Sequence, residues 1–186
     1  MTVLIAYATT EGQTRKIARF CADCLIAQGH SVELLPLADA ADDDGFDLKR
    51  FDSAILAGSV HGGRLQPQLA RFAARYAPEL NVRKTLFVIV SLAAAGNDPD
   101  EHAHLAQIAT DFADSAGWNP AHIAHVAGAF RFTQYDFFKG LAMRWIAHSK
   151  GEVVDRHSDK EYTDWPALAA LLEDWPDSFP QDRVAG

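Results

Sequence analysis

The chain has 186 residues, of which 48% are hydrophobic, and its formal net charge at pH 7 is −8. This length and apolar content predict one globular domain, residues 1–186, and exclude intrinsic disorder. The acidic charge argues against nucleic acid as a partner, because binding to a phosphate backbone needs a basic surface. We find neither a signal peptide nor an apolar run of the roughly 18–20 residues that span a bilayer, so we expect a cytoplasmic protein.

Short apolar runs alternate with longer amphipathic stretches along the chain. In chain order the pattern predicts strand 2–7, helix 12–28, strand 31–37, an acidic loop over 38–50, strand 53–59, helix 66–80, strand 85–93, helix 100–117, strand 122–130 and helix 164–175. Gly29 is expected to cap the first helix, and Pro67 to open the second. Strands that alternate with helices are typical of crossover connections, so we expect a doubly wound five-stranded parallel sheet with helices on both faces.

The connection between the fifth strand and the last helix, residues 131–163, is far longer than this fold requires. It is therefore interpreted as an insertion with a function of its own, and its pattern predicts a helical segment.

The first predicted strand is followed by TTEGQT at residues 9–14. This is neither a dinucleotide-binding loop nor a Walker A motif, because Gly12 is its only glycine and no lysine follows in register. The hydroxyls of Thr9, Thr10 and Thr14, with the backbone amides around them, could surround a phosphate at a helix N-terminus. A helix cap by Thr9 or Thr10 explains the same residues equally well, so both interpretations stay open.

Two more loops follow predicted strands and have compositions that suit a flat ligand. The segment AGSVHGGRL at 57–65 contains three glycines, which let the backbone pass close to a ring, and its His61 could pack on that ring or be an ordinary polar loop residue. The segment SLAAAGNDP at 91–99 consists mostly of small residues. Because the carboxyl ends of parallel strands meet at one edge, the three loops together predict a binding site there.

Four stretches carry a resemblance to a known family: EGQTRKIA at 11–18, AGSVHGG at 57–63, the long stretch 126–152, and YTDW at 162–165. The first is similar to the FMN-binding signature that many flavodoxins share. The last two lie in and just after the insertion and are the more specific part. Together they resemble the flavodoxin-like protoporphyrinogen IX dehydrogenases (quinone) of bacteria, also called menaquinone-dependent protoporphyrinogen oxidases.

The resemblance implies a flavodoxin-like fold and FMN as the cofactor. It also implies an activity in haem biosynthesis: oxidation of protoporphyrinogen IX to protoporphyrin IX, with electrons passed to a membrane quinone. Such an enzyme is an oxidoreductase acting on CH–CH groups and lies peripherally on the inner face of the cell membrane. Two alternatives from other classes are a flavodoxin-type diffusible electron carrier and a flavodoxin-fold quinone reductase.

Carried over position by position, the resemblance also implies the cofactor site. The residues expected at the FMN phosphate are Thr9, Thr10, Glu11, Gly12, Gln13 and Thr14. The residues expected to flank the isoalloxazine are Ser59, Val60, His61, Gly62 and Gly63, and Ser91, Leu92, Ala93, Ala94, Gly96 and Asn97. Neither flanking loop has the aromatic side chain that most flavodoxins place against the flavin. An open flavin face suits a large flat substrate and hydride transfer, and the best-placed ionisable candidates for catalysis are His61 and Arg131.

The insertion combines positive charge with aromatic residues. Residues 131–150 hold four basic side chains and one acidic side chain, within a chain of net charge −8. A helix of this composition is typical of a membrane surface or the wall of a porphyrin cleft, but a helix packed on the sheet is an equally good interpretation. The candidates for contact with substrate or membrane are Arg131, Phe137, Lys139, Met143 and Arg144.

Two further patterns have simpler explanations than chemistry. Cys21 and Cys24 form a C-x-x-C inside a predicted helix, where packing of small apolar side chains is a better explanation than redox or metal chemistry. The histidine pairs at 102 and 104 and at 122 and 125 lack the further ligands that a metal site needs, so no metal site is predicted.

Overall fold

The computed structural model of the chain describes residues 1–37, 46–130 and 160–175. Five parallel strands form one sheet in the order β2-β1-β3-β4-β5. They are β1 (Thr2–Tyr7), β2 (Ser31–Pro36), β3 (Ser53–Ser59), β4 (Lys84–Ser91) and β5 (His122–Ala127). This order confirms the predicted doubly wound sheet.

Helices cover both faces of the sheet. They are α1 (Gln13–Ala27), α2 (Pro67–Arg75), α3 (Ala77–Leu80), α4 (Pro99–Ala116) and α5 (Trp165–Asp174), with short 3-10 turns at Leu48–Arg50 and Ala93–Ala95. Helices α1 and α5 share one apolar core with the sheet, and α2, α3 and α4 share the other. The central strands β1, β3 and β4 are therefore buried on both faces, which explains why they are nearly continuous apolar runs.

Helices α1, α4 and α5 begin and end within one residue of their predicted bounds. Gly29 and Gly117 adopt the left-handed conformation, with φ of 88° and 65°, and stop α1 and α4 as glycine does at helix C-termini. The predicted helix 66–80 was wrong in one respect, because it is broken at Tyr76, where φ is −106° and ψ is 14°. Pro78 explains the break: it has no N–H to donate, and its ring would clash with the carbonyl four residues earlier.

The predicted strand 85–93 was too long at its carboxyl end. Strand β4 ends at Ser91, and Leu92 already has helical backbone angles, with φ of −73° and ψ of −33°. The Ser91 hydroxyl accepts a hydrogen bond from the Ala94 amide at 3.1 Å, which closes a turn at the site-bearing edge of the sheet.

The predicted strand 122–130 was also wrong, because it is two strands. Strand β5 ends at Ala127, and the amide of Gly128 donates to the carbonyl of Ser91 at 3.0 Å. Beyond it, β6 (Ala129–Phe130) pairs antiparallel with β7 (Lys160–Glu161). The two residues just before the long connection thus pair with residues near its end.

Several sequence predictions fall on parts of the chain outside the described residues. These are most of the acidic loop, 38–45, and most of the insertion, 131–159. Of the insertion, only 160–163 is described, and it begins with the strand β7. In the described ranges, every helix is too short or too polar to cross a bilayer.

Candidate functional site

The three loops that the sequence singles out lie at one edge of the sheet. Strand β1 is paired with β3, and β3 with β4, so the segments 9–14, 59–63 and 91–97 leave neighbouring strands at their carboxyl ends. The amide of Val60 donates to the carbonyl of Val90 at 2.9 Å, which keeps the second and third loops together where they leave the sheet. This is the switch point at which ligands bind in open α/β sheets.

The first loop presents an uncapped helix N-terminus. Gly12 is the N-cap of α1 and has a left-handed backbone, with φ of 90°, and no described side chain caps the helix. The Thr9 hydroxyl instead accepts from the amide of Gly12 at 2.9 Å, which closes the turn before the helix. The alternative of a helix cap by Thr9 or Thr10 is therefore wrong. The first helical amides, from Gln13 to Arg15, have no intrahelical acceptor and form a site that favours anions.

Thr14 provides an independent test of whether a phosphate suits this loop. Its side chain is 1% exposed, and its hydroxyl has no hydrogen-bond partner within the described ranges. A buried hydroxyl left in this state costs about 1–3 kcal/mol, so such groups usually have a partner in the functional state. A phosphate at the N-terminus of α1 would supply acceptor oxygens for this hydroxyl and for the free amides. The residues present fit the phosphate of FMN.

The other two side chains of this loop differ in their surroundings. Glu11 is half-buried. The Gln13 side chain turns toward the C-terminal part of the chain, where its Nε2 donates to Glu161 Oε1 and to Thr163 Oγ1, each at 3.0 Å. Gln13 therefore contributes its backbone amide to the N-terminus of α1, while its side chain connects that end of the helix to the last residues of the insertion.

Glu161 and Thr163 are residues of this region that sequence reasoning missed. The Thr163 hydroxyl is buried and donates to the carbonyl of Ala127 at 2.7 Å while it accepts from Gln13. Glu161 forms an ion pair with Lys16 at 2.6 Å. Partial burial acts to raise the pKa of Glu161, but hydrogen bonds from Lys16 and Gln13 and the charge of Lys16 outweigh it, so the pKa is below its ordinary value. The YTDW stretch was the only signal for this contact.

The second loop is a tight turn that requires its two glycines. The amide of His61 donates to the carbonyl of Arg64 at 2.8 Å, and the amide of Arg64 donates back at 3.1 Å. Gly62 and Gly63, with φ of 57° and 76°, occupy the two central positions, where positive φ is typical of a type I′ turn. The turn presents His61, whose Nε2 lies 3.1 Å from the Ser59 hydroxyl.

Gln66 was predicted only as the start of a helix, yet it bonds to two of the three loops. Its Oε1 accepts from the amide of Ser59 at 3.1 Å, and its Nε2 donates to the Ser59 hydroxyl at 2.6 Å and to the Thr10 hydroxyl at 3.2 Å. Its place just before Pro67, at the N-cap of α2, was the one signal available in the sequence.

The third loop is small and closely tied to its own strand. Leu92, Ala93 and Ala94 are half-buried around the 3-10 turn, and Asn97 is exposed. The carbonyl of Gly96 lies 2.8 Å from His102 Nε2, at the start of α4. The loop thus offers backbone groups and short side chains to a ligand.

The described histidines and cysteines outside the loops form no cluster that would hold a metal ion, and the two cysteines disfavour the thiolate form. In the described part of the chain, no three or more His, Cys, Asp or Glu side chains are close enough to hold a metal ion. Burial raises the pKa of the Cys21 thiol to about 12, with the neighbouring Cys24 adding to the shift, and burial also raises the pKa of Cys24. Both effects disfavour a thiolate and agree with the packing interpretation.

Five of the candidate residues lie outside the described residues. These are Arg131, Phe137, Lys139, Met143 and Arg144, so their part in a substrate or membrane contact stays a prediction.

Comparison with known proteins gives relatives over nearly the whole chain. The protoporphyrinogen IX dehydrogenase [quinone] of Escherichia coli K12 is 26% identical over 170 residues, which cover 91% of each chain. The protein of the same name from Leishmania major is 24% identical over 173 residues, which cover 92% of this chain and 73% of that one. Among solved structures, the flavodoxin of Streptococcus pneumoniae TIGR4 superposes with a TM-score of 0.57 at 19% identity, covering 96% of this chain and all of that one. This last likeness concerns the fold.

The model of the flavodoxin domain family matches residues 4–156, which include most of β1, the other four strands of the sheet and the three loops. The match agrees with the strand order, the switch-point loops and the phosphate-compatible N-terminus of α1. The chain belongs to the flavodoxin domain family, and its cofactor is FMN.

Proposed function

We propose that this protein oxidises protoporphyrinogen IX to protoporphyrin IX with FMN and passes the electrons to a quinone, as a step of haem biosynthesis. The family and the relatives support a flavoprotein oxidoreductase. The observation that carries the finer proposal is the match to the Escherichia coli protein, whose name gives this activity and which is covered over 91% of its length.

The proposed roles of the residues follow from the loops. Thr9, Thr10 and Thr14, with the amides that start α1, hold the phosphate of FMN, and the segments 59–63 and 91–97 flank its ring system. Bound FMN would supply the two-electron chemistry, accepting hydride equivalents from the porphyrinogen and returning electrons to the quinone. The protein supplies position and electrostatics, because His61 is the only ionisable side chain in the two loops that flank the ring.

Space at the flavin is the feature that favours a large macrocyclic substrate. The two flanking loops contain glycine, alanine, serine and asparagine but no phenylalanine, tyrosine or tryptophan. A ring of porphyrinogen size can then approach the flavin without displacing a stacked side chain. Three two-electron oxidations convert the porphyrinogen to the porphyrin and reduce three quinones to quinols. The quinols take up as many protons as the porphyrinogen loses, and solvent or His61 carries them between the two.

The insertion is proposed to bring the substrate, the membrane quinone, or both to this edge of the sheet. The whole chain, 1–186, then acts as one FMN domain with an insertion at 131–163. Positive charge on Arg131, Lys139 and Arg144 complements the substrate propionates or anionic lipid headgroups. The apolar side chains of Phe137 and Met143 match the membrane–water interface. Such a protein works peripherally on the inner face of the cell membrane.

Porphyrin fluorescence tests the activity directly. The purified protein is checked for FMN absorbance and mixed with protoporphyrinogen IX and a quinone, with a sample lacking enzyme as the control for autoxidation. We expect porphyrin to appear faster than in the control and quinol to accumulate. Bound FMN with porphyrin formation no faster than the control would contradict the proposal and favour the electron-carrier alternative.

Vesicle assays test the role of the insertion. Replacing Phe137 and Met143 by Ser should reduce quinone-coupled turnover on vesicles more than FMN affinity, because the interface would lose its apolar anchors. A matched control is Val82→Ser, which changes a side chain 80% exposed just before β4, at the opposite edge of the sheet. Equal loss of turnover and FMN affinity, or loss of neither, would count against a peripheral membrane role.

A further inference from the structure

Gln66 lies between the phosphate-binding loop and the flavin-flanking loop. It is half-buried at the N-cap of α2, and its side-chain amide makes three hydrogen bonds. The Oε1 accepts from the amide of Ser59, and the Nε2 donates to the hydroxyls of Ser59 and Thr10, at 3.1, 2.6 and 3.2 Å. One side chain thus connects the two loops, and its bond to Thr10 joins residues 56 positions apart in the sequence.

The direction of these hydrogen bonds determines what the two hydroxyls can do. Each hydroxyl accepts from Gln66 and therefore keeps its own proton for another acceptor. For Thr10 the natural acceptor is an anion at the N-terminus of α1. For Ser59 the neighbouring group is Nε2 of His61, at 3.1 Å, which accepts in the tautomer that carries its proton on Nδ1. Because Gln66 donates to both hydroxyls, the Thr10 hydroxyl can donate toward the phosphate site and the Ser59 hydroxyl can orient the imidazole of His61.

The backbone around Gln66 leaves room for this arrangement. A Cβ added at Gly58 would lie 3.1 Å from Gln66 Oε1 and 2.5 Å from Leu69 Cδ2. The second distance is shorter than real Cβ contacts, so a side chain at position 58 would have to displace the end of the buried Leu69 side chain. Pro67 then fixes the backbone that follows Gln66 at the start of the helix.

We propose that Gln66 is a positioning residue for FMN: it holds the Thr10 hydroxyl as a donor to the cofactor phosphate and couples that contact to the loop that flanks the flavin. Glutamine suits this role because its amide supplies one acceptor and two donors. Glutamate has no donor, and asparagine is one methylene shorter. The proposal rests on FMN binding by residues 9–14 and is independent of the porphyrin activity.

Two substitutions of Gln66 test the role in different ways. In Gln66→Glu the carboxylate would accept from the Thr10 and Ser59 hydroxyls, which reverses both bonds and sets a negative charge beside the phosphate site. In Gln66→Met the donor is removed without a new charge. Gln68→Met is the matched control, since Gln68 lies on the same helix and is not a partner of either loop in this network.

The measurement is the dissociation constant of each variant for FMN and for riboflavin, which lacks the phosphate. We expect Gln66→Glu to weaken FMN about tenfold or more while riboflavin changes less than about threefold, because a charge-assisted hydrogen bond is lost. Gln66→Met should act in the same direction but less, and Gln68→Met should change neither constant. Equal weakening of both flavins, or no weakening of FMN, would overturn the proposal.

A double-mutant cycle keeps the proposal testable even where Gln66→Glu does not fold. Thr10→Ala, Gln66→Met and the double variant are compared through their ratio of FMN to riboflavin affinity. If Gln66 acts through Thr10, its substitution should have little further effect on the ratio once the Thr10 hydroxyl is gone. Additive effects of the two changes would overturn the proposal. The ratio is unaffected by whether the protein oxidises protoporphyrinogen, so the two proposals fail separately.

Discussion

At the scale of single residues, the hydroxyl of Thr14 is a buried group that serves ligand binding without stabilising the fold. It is buried and has no partner among the described residues, so it contributes little to the stability of the protein without cofactor. The same hydroxyl lies in the first turn of an uncapped helix, where a phosphate would accept from it. The residue is therefore better explained by ligand binding than by packing.

We expect Thr14→Val to have opposite effects on stability and on binding. The free energy of unfolding without FMN should stay the same or rise by about 1 kcal/mol, because an unpaired buried hydroxyl is replaced by a methyl group of similar size. The dissociation constant of FMN should rise about tenfold. Urea unfolding of the cofactor-free protein and quenching of flavin fluorescence measure the two quantities.

Thr14→Ser is the matched control for this prediction. It keeps the hydroxyl but removes a buried methyl group, so it should lower the free energy of unfolding by about 1 kcal/mol and leave FMN affinity nearly unchanged. The interpretation would be contradicted if Thr14→Val destabilised the cofactor-free protein by more than Thr14→Ser, or if it bound FMN as tightly as the unchanged protein.

Cys21 gives the molecule an alkaline limit to its stability. Burial raises the pKa of its thiol to about 12, whereas the thiol of the unfolded chain titrates near pH 8.5. Between these values the unfolded state has lost a proton that the folded state keeps, so the free energy of unfolding falls as pH rises, by at most about 1.4 kcal/mol per pH unit. Below about pH 8 the thiol contributes no pH dependence.

We expect Cys21→Ala to flatten this alkaline loss. Urea unfolding of both proteins between pH 8 and about 10.5 measures the free energy of unfolding as a function of pH. The difference between the two curves removes the titration of lysines and tyrosines, which both proteins share. Cys24→Ala is the control, because that side chain is half-buried and its pKa is raised less. Parallel curves for the unchanged protein and Cys21→Ala would show that the Cys21 thiol does not limit stability at high pH.

At the scale of elements, the sequence predicts the interiors of helices and strands better than their ends. Helix ends marked by glycine were placed within one residue, because the left-handed conformation has a direct residue signature. The predicted strands 85–93 and 122–130 extend beyond the ends of β4 and β5, because apolar residues continue after Ser91 and Ala127, where the strand pairing stops. Composition does not record where a chain leaves the sheet, because that depends on hydrogen bonds to distant residues.

The end of the insertion is held by one such set of distant hydrogen bonds, centred on Thr163. We expect Thr163→Val to lower the free energy of unfolding by about 1–2 kcal/mol, because the bonds to the Ala127 carbonyl and to Gln13 are both lost in a buried setting. Thr163→Ser should lower the free energy of unfolding by less than about 1 kcal/mol, because it keeps the hydroxyl. Urea unfolding measures both.

Thr110→Val is the matched control for Thr163→Val. The Thr110 hydroxyl donates to the carbonyl of Ala106 at 3.0 Å, but the residue is exposed on α4, where water replaces the lost bond. Its substitution should change stability by less than about 0.5 kcal/mol. Similar losses at both positions would mean that Thr163 does not fix the C-terminal segment to α1.

At the scale of the whole molecule, the position of the site can be predicted from the sequence, but the hydrogen bonds between its loops cannot. Alternating strands and helices predict the doubly wound sheet, and that topology alone brings the loops after β1, β3 and β4 to one edge. The contacts of Gln66 with Thr10 and of Gln13 with Thr163 join residues 56 and 150 positions apart. No local periodicity or turn signal encodes such pairs, so they emerge only from the packed structure.

The stability of the whole molecule should report the phosphate site. A ligand that binds only the folded state at 100 times its dissociation constant adds about 2.7 kcal/mol to the free energy of unfolding, which for a domain of this size raises Tm by roughly 5–10 °C. We expect FMN to produce such a shift, measured by thermal unfolding, and Thr14→Val to lose about half of it at the same FMN concentration. Riboflavin at that concentration should shift Tm much less, because it cannot engage the uncapped N-terminus of α1. Equal shifts with both flavins would mean that residues 9–14 do not bind the phosphate, whatever the protein oxidises.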